Sequence, residues 1–126
     1  MITKVKTPDA PKLIGPFSQA IVAGNLVFVS AQFAQNFSTG ELVLDNIEAE
    51  TKLVMENIKA ILTEAGVDCS NVAKCSIFLK NMADYSTVNE IYGAYFSEPF
   101  PARETIQVAG LPKNVNIEIS VIAVKD

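Results

Sequence analysis

The spacing of apolar and polar positions changes several times along the chain, and each change marks an element. Residues 17–33 read as two strands around Gly24-Asn25, a dipeptide suited to a tight turn. The second arm, Leu26-Val27-Phe28-Val29-Ser30-Ala31, is nearly continuous apolar sequence, which predicts a strand covered on both faces. Ser38-Thr39-Gly40 marks the next turn. Over residues 47–65 the period becomes helical, with Ile47, Val54, Ile58, Ile61 and Ala65 forming a stripe joined by Leu53 and Leu62. Gly66 follows at the position that stops a helix. Residues 72–79 alternate Ala73, Cys75, Ile77 and Leu79 against Lys74, Ser76 and Phe78, a strand with one more polar face. Asp84 or Ser86 can cap a second helix that runs to about Phe96, with Val88, Ile91, Tyr92 and Tyr95 facing inward. Pro99 and Pro101 end it. Two strands, 102–108 and 115–124, then flank the turn-rich Gly110-Leu111-Pro112-Lys113-Asn114.

With a short strand-like start in the first ten residues, the order is β-β-β-α-β-α-β-β. That order predicts an α+β fold, a mixed sheet with both helices packed on one face. The length suits one domain, 1–126. The other sheet face then lacks a cover. In the last strand Ile117, Ile119, Val121 and Ala123 lie on one side, but Ile122 lies on the other. Apolar positions on both faces, with helices on only one, predict burial of the second face in an oligomer.

Composition narrows the function. Apolar residues make up 49% of the chain, enough for a core, yet no apolar run approaches the roughly 20 residues of a membrane helix. No apolar block of signal-peptide type follows Met1-Ile2-Thr3-Lys4-Val5-Lys6, so the expectation is a cytoplasmic protein without a membrane partner. The net charge is −4 and the lysines are scattered, which disfavours a nucleic-acid partner. The chain has no histidine, which removes Ser-His-Asp and Cys-His catalysis and the commonest zinc ligand. Cys69 and Cys75 have no metal-ligand or CxxC spacing; Cys75 reads as a small core residue and Cys69 as a loop thiol.

What remains converges on the last two strands. Arg103 is the only arginine. Its rigid fork of donors matches a carboxylate, where a lysine is a point charge. Arg103, Thr105 and Gln107 share one face of their strand. If the two strands form a simple hairpin turning near Pro112, Gln107 lies opposite Glu118, and Arg103 stands about 13 Å along the same face, leaving room for a small ligand. The alternative for Arg103 is an ion pair with Glu118 or another acid. Glu118 itself is either a satisfied structural acid or a proton handler whose pKa is raised by burial.

A set of segments, in order along the chain, resembles the RidA family, also called YjgF and, in older usage, L-PSP endoribonuclease. The matching pieces begin with Gly15-Pro16-Phe17-Ser18-Gln19-Ala20, preceded by Ile14, then Ser30-Ala31-Gln32 and Thr39-Gly40-Glu41-Leu42-Val43. They continue through Asn57-Ile58-Lys59-Ala60-Ile61-Leu62, Thr87-Val88-Asn89-Glu90-Ile91-Tyr92 and Pro101-Ala102-Arg103 to Leu111-Pro112-Lys113 and Ile117-Glu118-Ile119. The resemblance implies a chorismate-mutase-like fold assembled as a homotrimer with three clefts between subunits. It also implies hydrolysis of imine and enamine acids, such as 2-iminobutanoate and 2-iminopropanoate, to 2-oxo acids and ammonia, with no metal or organic cofactor. By the same resemblance Arg103 binds the substrate carboxylate and Glu118 positions or activates the attacking water. The backbone of Ala31 and Thr105 supplies N–H donors, and Asn89 lines the cleft. Phe17 stands where the family usually has tyrosine, Thr105 where many members have cysteine, and Ala31 where glycine is common. Phe17 and Ala31 together narrow or shift the expected substrate range. Two other roles stay open: a trimer that binds 2-oxo acids without turning them over, favoured by the missing phenol at Phe17, and the ribonuclease of the older name, disfavoured by charge and by the lack of histidine.

Overall fold

The structure, a computed structural model, describes residues 1–8, 13 and 15–126; Lys12 and the Ile14 of the first matching segment lie outside them. Six strands and two helices follow one another in the expected order: β1 (Ile2–Val5), β2 (Ala20–Ala23), β3 (Leu26–Gln32), α1 (Ile47–Glu64), β4 (Val72–Leu79), α2 (Tyr85–Gly93), β5 (Ala102–Gln107) and β6 (Ile117–Val124). The strands form one mixed sheet, ordered β1-β2-β3-β6-β4-β5, in which only β4 and β5 run parallel.

Local chemistry explains the element ends. Asn46 caps α1 by accepting a hydrogen bond from the Ala49 N–H at 2.7 Å, and Gly66, at φ 85°, takes the left-handed position beyond the helix. Gly24, at φ 62°, turns β2 into β3. The second helix starts differently from the expectation. Asn81, not Asp84 or Ser86, supplies a side-chain cap, to Ala83 N–H at 2.9 Å, for a single turn that runs straight into α2. Asp84 makes no capping bond, and regular helix ends at Gly93 rather than near Phe96.

The helices pack against each other and cover one face of the sheet. On that face Ile117, Ile119, Val121 and Ala123 of β6 are buried with Cys75, Ile77 and Leu79 of β4 and Val27 and Val29 of β3. Val54, Ile58, Ile61 and Leu62 of α1, with Val88 and Tyr92 of α2, complete a single core cluster. A register shift between Val72 and Lys74 turns Val72 inward and leaves Ala73 outside, against the simple alternation. The opposite face has no cover in the single chain. Phe28 is 40% exposed there and Ile106 47%, so β3 is buried on one side only, contrary to the expectation from its apolar run.

The last two strands are not a hairpin. β4 lies between β5 and β6, pairing Cys75 with Arg103 on one side and with Val121 on the other. The reason is physical. β6 offers apolar residues to both faces and belongs in the middle of a sheet, whereas Ala102-Arg103-Glu104-Thr105-Ile106-Gln107 is polar enough for an edge. β4, α2 and β5 form a parallel crossover unit, the usual way of joining parallel neighbours.

Candidate functional site

This topology separates the two residues expected to work together. Directly paired residues share a face. Arg103 shares the row of Cys75 and Val121, on the helix side. Glu118 shares the row of Phe78 and Ile106, on the open side. The expectation that Arg103 and Glu118 face the same side across a ligand-sized gap is therefore wrong within one chain. They stand on opposite faces, two strands apart. The parity of each strand was legible, but the strand between them was not.

Arg103 lies under α2. Tyr85, Asn89 and Tyr92 sit at i, i+4 and i+7, one face of that helix. Arg103 Nη1 donates to Asn89 Oδ1 at 2.5 Å and Nη2 donates to Tyr85 Oη at 2.8 Å. The guanidinium also lies 5.2 Å from the Tyr92 ring centre and 5.6 Å from that of Tyr85, within cation–π range. All these partners are neutral. Among the described residues no carboxylate lies within 4.0 Å of Arg103, so the ion-pair alternative is not what the structure contains. A guanidinium has five N–H donors, and those not used here remain for a ligand. Among the described residues two buried oxygens nearby, Thr105 Oγ1 and Tyr92 Oη, have no nitrogen or oxygen hydrogen-bond partner, Tyr92 having only the Cys75 thiol beside it. Burial pushes the Cys75 thiol up to about 11 and raises the Tyr92 phenol too, so neither supplies an anion at neutral pH.

Glu118 opens into a cavity of about 310 Å³ on another part of the surface, whose walls include Phe17, Ala31, Phe33, Phe37 and Lys113. Burial raises the Glu118 pKa, and among the described residues no cation lies within 4.0 Å of it. β3 bulges here. Its ladder steps from Val29–Val121 to Gln32–Ile119, so Ser30 and Ala31 together oppose one residue of β6 and Ala31 turns into the cavity wall. The bulge also anchors the segment carrying Phe17. Ser30 N–H donates to Gln19 O at 2.9 Å and Ser30 Oγ to Ser18 O at 2.7 Å. Phe17 is held beside the cavity yet is 52% exposed. Lys113, at φ 56°, places its ammonium 5.9 Å from the Phe33 ring centre. A larger hollow, about 760 Å³ between α1 and α2, contains neither Arg103 nor Glu118 and mixes acidic and basic side chains.

Of the six residues singled out from sequence, the structure gathers Phe17, Ala31 and Glu118 in one place and Arg103, Asn89 and Thr105 in another. It does not bring the two groups together in one chain. Sequence reading missed Tyr85 as an Arg103 partner and Lys113 as a cavity residue. The signal for Tyr85 was its helical spacing from Asn89, joined to the crossover that sets α2 over β5.

The Endoribonuclease L-PSP family model matches residues 7–125. The chain belongs to this family, the Rid family. A RutC family protein of Pyrococcus abyssi is 48% identical over 120 residues, 95% of this chain and 94% of that protein. A human protein named 2-iminobutanoate/2-iminopropanoate deaminase is 41% identical over 121 residues, 96% of this chain and 88% of that one. Among solved structures, E. coli TdcF with bound serine superposes with a TM-score of 0.91 at 36% identity, covering 98% of this chain and 99% of that one. The α+β fold, with its mixed sheet and two helices, is the fold of the Rid family.

Proposed function

We propose that this chain is a single-domain (1–126), cytoplasmic, cofactor-free deaminase that hydrolyses 2-imino and enamine acids to 2-oxo acids and ammonia, with 2-iminobutanoate and 2-iminopropanoate as substrates. Its clefts form between subunits of a homotrimer, where Arg103, Asn89 and Thr105 of one copy meet Phe17, Ala31 and Glu118 of the next. The observation that carries this reading is the pair of uncompensated charges. Among the described residues Arg103 is held only by neutral groups, and Glu118, raised by burial, has no cation within 4.0 Å. The open sheet face with Phe28 and Ile106 exposed supports assembly, and a ring interface joins two different patches of identical subunits. The names of the human deaminase and of serine-bound TdcF support a substrate of amino-acid size.

In this mechanism Arg103 grips the carboxylate in bidentate fashion and fixes the imine carbon. The imine nitrogen is protonated, which makes C2 electrophilic. Water attacks C2 while Glu118 takes one of its protons, forming a carbinolamine. Glu118 returns that proton to the nitrogen, the hydroxyl gives up its proton to the freed carboxylate as the C–N bond breaks, and ammonia leaves as the 2-oxo acid forms. A carboxylate with a raised pKa is a better base for water than an ordinary one. A backbone N–H at Ala31 or Thr105 would hold the substrate oxygens.

The test is ammonia release from 2-iminobutanoate generated in situ, measured on wild type, Arg103→Ala, Glu118→Gln and a mixture of the two variants refolded together. Each variant alone should be inactive. In an equal mixture roughly a quarter of the clefts pair an intact Arg103 with an intact Glu118, so activity should return to about that level. A mixture that stays inactive removes the shared cleft. One feature favours a second reading, a trimer that binds 2-oxo acids without turnover: the Phe17 wall offers a ring where a phenol would hold water. Calorimetric binding of 2-oxobutanoate with no ammonia release by wild type selects it.

A further inference from the structure

Among the described residues Glu50 is the buried charged side chain that the mechanism leaves unused. It lies one turn into α1, at 0% exposure, and no basic side chain lies within 4.0 Å of it among the described residues. Its carboxylate accepts two hydrogen bonds, both from one residue: Asn116 N–H to Oε2 at 2.8 Å and Asn116 Nδ2 to Oε1 at 2.7 Å. Asn116 is gripped from the other side too, since its carbonyl accepts from Lys80 N–H at 2.9 Å. A buried carboxylate without a cation is tolerated only when donors satisfy it, and here both donors belong to Asn116, the residue before β6.

The segment so held is unusual. Lys113 and Asn114 both have φ 56°, a left-handed conformation that residues other than glycine seldom adopt. Asn114 Oδ1 accepts from Lys80 Nζ, a second tie between this turn and the end of β4. Asn116 stands three residues after Lys113 and two before Glu118, and both of those line the cavity. Strained backbone persists only where its surroundings over-determine it. The Glu50–Asn116 clamp is that surrounding.

We infer that Glu50 is a positioning residue for the cleft: by clamping Asn116 it holds the left-handed turn and sets the register that delivers Glu118 and Lys113 to the cavity. The role rests on the proposed deaminase reading for its catalytic consequence, but not for its structural one. Glu50→Ala removes both acceptors. Glu50→Gln keeps an oxygen for the Asn116 N–H, and its amide can donate to the Asn116 side-chain oxygen once that amide flips. Asn116→Ala weakens the clamp from the other, less buried side.

The experiment combines amide hydrogen exchange with the imine-hydrolysis assay on purified oligomer. In Glu50→Ala, exchange at residues 113–118 should accelerate by about ten- to a hundredfold, the loss of a local clamp, while α1 amides at Val54 to Leu62 keep their protection. The kcat should fall about tenfold with KM within about twofold, because water activation and not carboxylate binding is displaced. Asn116→Ala should shift both readouts the same way by less, and Glu50→Gln should restore both. Uniform acceleration that includes α1 would make Glu50 a general stability residue and overturn the inference. Wild-type exchange at 113–118 in a folded Glu50→Ala would overturn it as well. If wild type itself releases no ammonia, the deaminase reading fails while the exchange pattern still decides the clamp.

Discussion

Arg103 and Glu118 show two opposite ways of keeping a charge available. The guanidinium sits on the helix side of an edge strand, against an amide and two phenol rings, with no acid within 4.0 Å among the described residues. Its described partners are neutral, so none compensates its charge, and its orientation is set because Asn89 and Tyr85 each hold one nitrogen. The carboxylate sits on the other face, beside a bulge and aromatic walls, with no ion-pair partner among the described residues. There burial acts on the charge itself and moves it toward protonation. The proposed division of labour follows from this: an anion held at Arg103, a proton exchanged at Glu118. Opposite faces of one sheet keep the two from pairing within a chain.

The sharpest way to break this comparison is to remove the cation. Two charge-assisted hydrogen bonds to a carboxylate are worth about 2 kcal/mol each, so Arg103→Ala should lower kcat/KM about a thousandfold. Arg103→Lys, which keeps the charge but loses the fork, should recover little of it. The coupled ammonia assay reads both, and near-wild-type rates in Arg103→Ala would sink the anion-binding role.

Removing the carboxylate should act differently. Glu118→Gln should lower kcat by about 10²- to 10⁴-fold, the usual scale for a lost general base, with a modest change in KM. In wild type the rate should rise with pH through the elevated Glu118 pKa, above the ordinary glutamate range, and the variant should lose that limb. Stability should move the opposite way. A carboxyl whose folded pKa is raised contributes stability below its unfolded value and loses it as pH rises through the folded one. At neutral pH the Gln variant should therefore melt above wild type, and below the ordinary glutamate range the difference should vanish. A thermal melt series across pH checks the sign; a variant that melts lower at neutral pH would show that Glu118 is a satisfied structural acid.

The smallest effect belongs to Tyr85. Tyr85→Phe keeps the ring against Arg103 and deletes one hydrogen bond, worth about 1 kcal/mol, so KM should rise about fivefold with kcat little changed. An unchanged KM would mean that Asn89 and the Tyr92 ring hold the guanidinium without it.

Most of the fold was legible in the residues. The helical stripe from Ile47, the Gly66 stop, the Gly24 turn and the alternation in β6 and in β4 from Cys75 onward are local patterns, and local geometry repeats them. The uncovered sheet face also followed, because Ile122 on the wrong side of β6 needs a neighbour that two helices on one face do not supply. The site was legible in part. Arg103 stood out as the sole arginine, and Glu118 as an acid in an apolar strand. Tyr85, Lys113 and Glu50 carried no such mark, because their roles depend on contacts 18 to 66 residues away along the chain or on a backbone twist that the residue type does not advertise.

The alternation of side chains along a single strand is a property of the backbone, so the sequence alone determined that Arg103 and Thr105 share a face and that Glu118 lies opposite its two isoleucine neighbours. Which strand stands beside which is settled by competition among distant segments for burial. β4 took the place between β5 and β6, and that nonlocal choice put Arg103 and Glu118 on opposite faces. Only the tertiary structure decided it, because burying β6 on both sides gains more apolar contact than a polar hairpin partner offers.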